Sequence, residues 1–437
     1  MWLSPGHYIL ATWGYSVEVF LGSLSRDGDF LKLWGGQAIS KIGSTITSVG
    51  IPLTASFVLG ASPLEMGILA ASSGAGVLVF GLFAGAWADR LRRRPILIGA
   101  DVARAALLGT IPLAAALHRL NMPHLYTVGT LAGILTVIFD VSYQAYLPSL
   151  VNGDDIVEAN SKLALTESIA DITGPGLTGL LVQLITAPVA ILLDALSFIC
   201  SAVSVWLIRK PEFLPKPSPS PHIGREIAEG LTASWSSPVL RALLQRAATG
   251  PFFLGFIGGL YFLFARELHI TAVWLGLIVS VGGVSSLLGA LLAQPLLRCW
   301  GPGRTLIGAA WMTVVSMLLV PLAHGSVALC SAFLIASQLG DMAWPVYSIN
   351  ETSLRQAITP SHLLGRVSSA GHLLFHGAIT LGALAGGAIA QSIGIRQAML
   401  IGVCGYMLST LWLTLSPIRH VRHLNAERAA GTAPSRP

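Results

Sequence analysis

A chain of 437 residues with 53% AVILMFWYC and only 11% charged side chains cannot cover itself with a soluble surface, since an ordinary soluble domain is about 25% charged. The same figures exclude disorder, and four cysteines in this length exclude a disulfide scaffold. A net charge of +6 would suggest nucleic acid in a soluble protein, but here the basic residues fall between apolar runs of about 20, long enough to cross a bilayer core as helices. The composition therefore predicts an all-α polytopic membrane protein, with lipid around it and no nucleic acid as a partner.

Residues 1–28 lack the basic n-region and A-x-A site of a cleaved signal peptide. Residues 7–24 are mostly apolar but carry Glu18 and run into Ser25-Arg26-Asp27-Gly28-Asp29, so 1–30 reads as a cytoplasmic or interfacial extension, or as a wrongly assigned start. Hydropathy then predicts twelve spans, at 31–58, 65–88, 95–117, 125–150, 160–185, 188–208, 239–264, 272–297, 305–323, 326–350, 366–391 and 396–416. Connections on one side hold nearly all the Lys and Arg, including the Arg90 to Arg94 cluster, Arg209, Lys210, Arg298, Arg304, Arg355, Arg366 and Arg419. The opposite side holds only Arg119, Arg266 and Arg396. The basic side is expected to be cytoplasmic, with both termini there and the protein in the cell (inner) membrane.

Span one carries a polar stripe of Gln37, Lys41, Ser44 and Ser48 at helical spacing. The loop after span two reads Gly85-Ala86-Trp87-Ala88-Asp89-Arg90-Leu91-Arg92-Arg93-Arg94-Pro95. Asp89 there can accept from a neighbouring helix N-terminus and pair with an arginine. A clasp of that kind forms in one conformation and breaks in the other, although four arginines could also act as a topogenic cluster alone. Asp101 and Arg104 in span three form an i,i+3 pair, and Arg104, like Arg246 in span seven, is expected to snorkel to the cytoplasmic surface. Asp140, Tyr143, Gln144 and Tyr146 cluster on span four. Span five holds Asp171 and then Gly174-Pro175-Gly176-Leu177-Thr178-Gly179, where proline removes a donor and kinks the helix while glycines permit tight packing.

Residues 209–238 form a Pro-rich cytoplasmic linker, in which 225–235 could be a short amphipathic helix; it separates six spans, 31–208, from six more, 239–416. The halves repeat: Ser62, Gly67 and Gly74 align with Thr271, Gly276 and Gly283 at an offset of 209, and Thr173, Leu177 and Gly179 align with Thr380, Leu384 and Gly386 at 207. Parallel six-helix repeats with a substrate site between them describe one major transporter architecture. Gln338, Asp341, Trp344 and Ser348 share a face of span ten, and residues 417–437 read as a disordered cytoplasmic tail.

A charge at the bilayer centre costs roughly 2.5–3.5 kcal/mol on insertion scales, so each one needs a partner or a role. Lys41, Asp140, Asp171 and Asp341 lie nine to eleven residues from the cytoplasmic ends of their spans, which places all four near mid-membrane. Lys41 with Asp140 is the preferred ion pair and Asp341 the alternative partner; protonating the carboxylate would release the pair and bias the two halves. A static pair that only fixes packing is the other reading. Gln37, Tyr143, Gln144, Gln338 and Trp344 would line a wet cavity with aromatic walls, suited to an amphipathic molecule. His372 and His376, one turn apart on span eleven, lack further ligands at metal spacing and read as helix-contact histidines or a proton relay, so no metal is expected.

The 85–94 loop resembles the signature loop of the major facilitator superfamily, through Gly85, Ala88, Asp89, Arg90, Arg93 and Arg94. The resemblance implies that Gly85, Asp89, Arg90, Arg93 and Arg94 act in gating and that spans one, four, seven and ten line the cavity. Ser353-Leu354-Arg355-Gln356-Ala357, Leu364-Gly365-Arg366-Val367, Ala159-Asn160-Ser161 and Leu193-Asp194-Ala195-Leu196-Ser197-Phe198 are similar to the third drug:proton antiporter group, which includes macrolide efflux proteins and the enterobactin exporter. Gly174, Pro175 and Gly179 are similar to the antiporter motif of exporters. Relatives often carry an acid near Ser44 and an arginine near Asp171, which this chain lacks.

No phosphate-binding loop or hydrolase motif occurs, so neither ATP nor an enzymatic reaction is expected, and no cofactor. The expected function is proton-coupled export of a small amphipathic molecule by a monomer. An uptake carrier or uniporter of the same fold, or a transport-inactive sensor or partner subunit, are the alternatives.

Overall fold

The computed structural model describes residues 23–88, 92–152, 155–212, 223–360 and 363–421. Asp89 and Arg90 of the signature loop and the calls on residues 1–22 and 422–437 therefore lie outside the described residues; Gly85 lies in a described helix, without a side-chain environment.

The first half consists of α1 (Gly28–Leu53), α2 (Pro63–Ala88), α3 (Arg93–Ala116), α4 (Met122–Leu150), α5 (Ile156–Ile185) and α6 (Ala187–Trp206). The linker contains α7 (Ile223–Ser236). The second half consists of α8 (Pro238–Gly258) with α9 (Tyr261–Glu267), α10 (Ala272–Trp300), α11 (Pro302–Leu322), α12 (Val327–Leu339) with α13 (Ala343–Ile358), α14 (Leu364–Ile393) and α15 (Ile395–Leu415). Among the described residues ten rods are long and apolar enough to cross a membrane, counting Pro238–Glu267 and Val327–Ile358 as one each. Two further long helices, α1 and α2, pack with them. α1 carries Asp29, Lys32 and Lys41, which lower its apolar content.

Local signals fix the helix starts. Ser62 and Glu65 form a reciprocal capping box, with Ser62 N–H donating to Glu65 (2.8 Å) and Glu65 N–H to the Ser62 hydroxyl (3.3 Å). At the repeat-related start of α10, Thr271 accepts from Trp274 N–H. Residues 23–30 are already folded: Ser23–Arg26 is a 3₁₀ turn, and Asp27 caps α1 by accepting from Asp29 and Phe30 N–H. The linker helix α7 packs on α14, where Glu229 pairs with Arg366 at 2.5 Å. Directly after α15, Pro417–His420 is a 3₁₀ turn with Ile418 fully buried, so the chain past 416 stays packed at least to Val421.

The halves meet along two seams, α2 against α14 and α5 against α10. Each closes on a glycine pair. A Cβ at Gly67 would lie 2.9 Å from Gly387 Cα, and one at Gly276 would lie 3.0 Å from Gly179 Cα. Gly67 and Gly276 are repeat-related, so the seams are copies of one another. The register that matched Gly179 to Gly386 is one residue short of the pairing in space, which uses Gly387. Inside the halves the same symmetry recurs: Gln37 donates to Ser201 at 3.1 Å in the first, and Arg246 donates to Ser409 at 3.5 Å in the second.

The core shows which end is shut. One apolar cluster runs through both halves at the end bearing residues 54–66 and 257–278, joining Leu53, Met66 and Leu69 to Leu260, Leu263 and Phe264. Arg266 ties the halves there by donating to the Ser56 carbonyl at 2.6 Å. At the opposite end the cores are separate: one holds Phe30, Leu97 and Leu150 of the first half, another Leu243, Leu306 and Leu354 of the second. The molecule is closed at the first end and parted at the end that carries Ser23, the linker and Val421.

Candidate functional site

Three breaks in the helices surround the space between the halves. α1 ends in a π-helical turn over Thr54–Val58, α8 and α9 part at residues 259–260, and Gly340–Met342 interrupts the tenth rod with a 3₁₀ turn. Asp341 stands in that last break, where a continuous helix was expected. Ser285 of α10 repairs the interrupted ladder, donating to the Leu339 carbonyl (2.5 Å) and accepting from Met342 N–H (3.1 Å). Discontinuous helices of this kind expose backbone at the binding depth of transporters.

Lys41 points between α1 and α5 and bonds Glu167, Nζ to Oε1 at 2.7 Å. The pair expected from the sequence, Lys41 with Asp140, is thus replaced by one to a carboxylate that sequence reasoning did not single out. Glu167 sits one helical turn from Asp171, and that i,i+4 spacing was the available signal. Asp140 and Asp171 both lie within electrostatic reach of Lys41 and Glu167. The group therefore gathers one cation and three carboxylates from three helices. Lys41 and Glu167 have 44% and 55% of their side chains accessible, so the pair is not enclosed within a helix contact. Ser44 and Ser48, on the same stripe as Lys41, border a cavity of about 310 Å³ shared with Gly258, Gly259 and Phe262 of the other half, so the stripe faces inward.

Asp341 does not join this group. Its carboxylate lies over Gly282 of α10, beside the Gln338 amide and within electrostatic reach of Tyr261, and it forms no ion pair among the described residues. Gln37 turns away from the cavity: it is 6% exposed and held by Ser201. Tyr143 stacks on Phe139 with ring centroids 5.9 Å apart, while Gln144 is exposed. Trp344 is 50% exposed and packs on Phe375 at 5.5 Å.

A cavity of about 530 Å³ lies within the second half, between α8, α13, α14 and α15. Trp344, Tyr347, Phe375 and Tyr406 supply its rings and Arg246, Glu351, Arg355, His372 and His376 its polar groups. Its size suits a drug-sized molecule. Arg246 does not snorkel: it is 4% exposed, with its guanidinium 4.2 Å from the Tyr406 ring centre and its Nε unpartnered. Arg104 is equally buried, between the rings of Phe139 (4.4 Å) and Phe198 (4.1 Å). Replacing Arg246 with Ala should remove both the ring packing and the cation, lowering thermal stability by an amount typical of a core truncation, about 2–4 kcal/mol. Arg246→Lys should recover only part, because the planar stack is lost. Thermal unfolding of detergent-purified variants measures both.

At the parted end, Arg93 and Arg94 N–H donate to the Glu212 carboxylate (2.6 and 3.1 Å), and the Arg94 side chain donates to the carbonyls of Val205 (3.2 Å) and Trp206 (2.5 Å). An acid therefore does cap a helix N-terminus in this loop region, but it comes from the chain after α6. In α5, Gly174, Pro175, Thr178 and Gly179 are buried, and Gly176 N–H donates to Ser280 of α10 at 2.9 Å. The Gly-Pro segment, which runs inside one continuous helix, thus lies on the seam between the halves.

Comparison with known proteins agrees with this architecture. The sequence profile of the transmembrane secretion effector family matches residues 23–434. The chain is 27% identical to the multidrug efflux pump Tap of Mycolicibacterium fortuitum over 394 residues, 86% of this chain and 92% of that one. It is 25% identical to macrolide efflux protein A of Streptococcus pyogenes over 405 residues, 91% of this chain and 97% of that one. In fold it matches a bacterial homologue of the iron transporter ferroportin at 19% identity, covering 90% of this chain and 98% of that one, with a TM-score of 0.70 to the inward-facing state. The TM-score to that protein's outward-facing state is 0.56. The chain is a multi-pass membrane transporter of the major facilitator superfamily and belongs to its transmembrane secretion effector family.

Proposed function

We propose that this transporter exports a small amphipathic molecule across the inner membrane in exchange for protons, by alternating access. The observation that carries the reading is the group of Lys41, Glu167, Asp140 and Asp171, three carboxylates against one ammonium, with the Lys41–Glu167 pair about half accessible. Such a group has an excess of negative charge that either protons or a cationic substrate can neutralise. Two ligands that satisfy the same charge exclude each other, and mutual exclusion is the thermodynamic content of antiport. The ring-lined cavity of the second half supports the apolar body of the same molecule. The names of the relatives, a multidrug pump and a macrolide exporter, favour export of a compound of that class.

With the basic connections cytoplasmic, the parted end faces the cytoplasm and the shut end the outside. Cargo would enter from the cytoplasm, displace protons from the carboxylates, and leave once the halves pivot on the α2–α14 and α5–α10 seams. Release of the Arg266–Ser56 bond, which ties the halves at the shut end, would accompany that movement.

Inverted membrane vesicles test this. An acid interior should drive accumulation of a fluorescent cationic amphipathic dye, and a protonophore should abolish it. Glu167→Gln and Asp140→Asn together should lower that accumulation at least roughly tenfold, the order of a typical coupling energy. Accumulation at wild-type level in the double variant, or unchanged by the protonophore, would overturn the proposal.

A further inference from the structure

The buried charges of the first half are not used by the cavity group. Asp101 and Arg104 of α3 and Asp194 of α6 are 0%, 4% and 0% exposed. Arg104 is ion-paired to Asp101 and within electrostatic reach of Asp194. Ser197 donates to Asp194 Oδ1 at 3.0 Å, whereas Asp194 Oδ2 and Asp101 Oδ2 are buried without any hydrogen-bond partner. α1 approaches closely at Gly43, where a Cβ would collide with Ser197 and the Asp194 carboxylate, and α1 also brings the Thr47 hydroxyl, itself buried, near Asp194. The guanidinium is held between Phe139 and Phe198, which leaves it no freedom to serve both acids symmetrically.

Charge counting decides what such a cluster must do. Two ionised carboxylates and one guanidinium leave one uncompensated negative charge on side chains that are almost wholly buried, and a buried charge without a counter-ion neutralises itself instead of persisting. The other charged group within reach of Arg104 is Asp140 of α4, another acid; besides Asp194, α6 carries only the exposed thiol of Cys200, and the charge in mid-α1, Lys41, is engaged by Glu167. The two orphaned Oδ2 atoms are where a proton would sit. The 310 Å³ cavity reaches both Arg104 and Asp194 and is bordered across the gap by Gly258, Gly259 and Phe262, at the break in the seventh rod of the other half.

We propose that Asp101, Arg104 and Asp194 form a second, buried proton-binding site in the first half, distinct from the Lys41 group, and that it holds one proton between its two carboxyls. The proton comes from water in the inter-half cavity and takes the cluster from a net charge of −1 to neutrality, with no other group altered. Because that cavity is walled by both halves, its access to water changes as they pivot. The proposal deepens the proton-coupled reading, but its signature is readable without any transport.

Infrared spectroscopy of the purified full-length protein, with aspartate carboxyls carrying ¹³C, supplies the test. The unmutated protein at neutral pH should show the C=O stretch of a protonated carboxylic acid, shifted by the label and by D₂O. The band should disappear in Asp101→Asn or Asp194→Asn and persist in Asp140→Asn and Asp341→Asn. Absence of a protonated aspartate band from the labelled wild-type protein at neutral pH overturns the proposal even if the variants fail to fold. So does a band that survives in both cluster variants. If vesicle transport ignores the pH gradient while the band behaves as expected, the exporter reading fails and the proton site stands.

Discussion

Lys41→Gln is expected to abolish most gradient-driven export, and Lys41→Gln combined with Glu167→Gln is expected to restore part of it. Lys41 is the ammonium that meets three carboxylates, and its 2.7 Å bond to Glu167 joins α1 to α5. Removing it alone leaves an uncompensated acidic group, which holds protons too tightly to release them to the cytoplasm. Removing Glu167 as well returns the net charge to its original value. Transport should fall roughly tenfold or more in the single variant, the scale of a coupling energy of about 1–3 kcal/mol. The double variant should transport better than the single one, and the difference measures the pair's interaction. Both side chains are about half accessible, so folding should be little affected and the yield of purified protein unchanged.

Gly276→Leu is expected to stop transport by a different route. A Cβ at Gly276 already meets the Pro175 carbonyl at closer than contact distance, and Gly179 Cα lies 3.0 Å away. These are backbone atoms, which cannot swing aside. A leucine there must separate α5 from α10, at about 1–3 kcal/mol or more for overpacking, and it destroys the surface on which the halves pivot. Gly67→Leu, on the other seam, should behave alike, since a Cβ there meets the Ala383 carbonyl at 2.6 Å. Gly99→Ala is the control: nothing lies within 4 Å of its added carbon, and dye efflux from whole cells should stay at wild-type level.

The helices were legible because membrane spans write themselves as long apolar runs. Predicted starts at 65, 125 and 272 fall within three residues of Pro63, Met122 and Ala272. The chief miss was span ten, read as one helix ending at 350, whereas it breaks at Gly340–Met342 and runs on to Ile358. The break depends on Ser285 of another helix to satisfy the freed backbone, and that is invisible in the local sequence. Depth along a span was legible too, but direction around the axis was not. Arg104 and Arg246 looked like snorkelling side chains because hydropathy cannot tell that Phe198, from α6, and Tyr406, from α15, fold over them. Gln37 sits on the stripe with Lys41, yet its amide is drawn to Ser201 of α6, a partner that local spacing cannot reveal. Glu167 was overlooked because its partner is 126 residues away.

The central claim is exchange of protons for cargo. Proteoliposomes loaded with a pH-sensitive dye, given an outward gradient of a transported substrate and no initial pH gradient, measure it directly. Substrate leaving in the export direction should drive protons the opposite way, and the dye should report it at a rate that scales with substrate flux. Substrate flux at full rate with no proton movement would contradict the account.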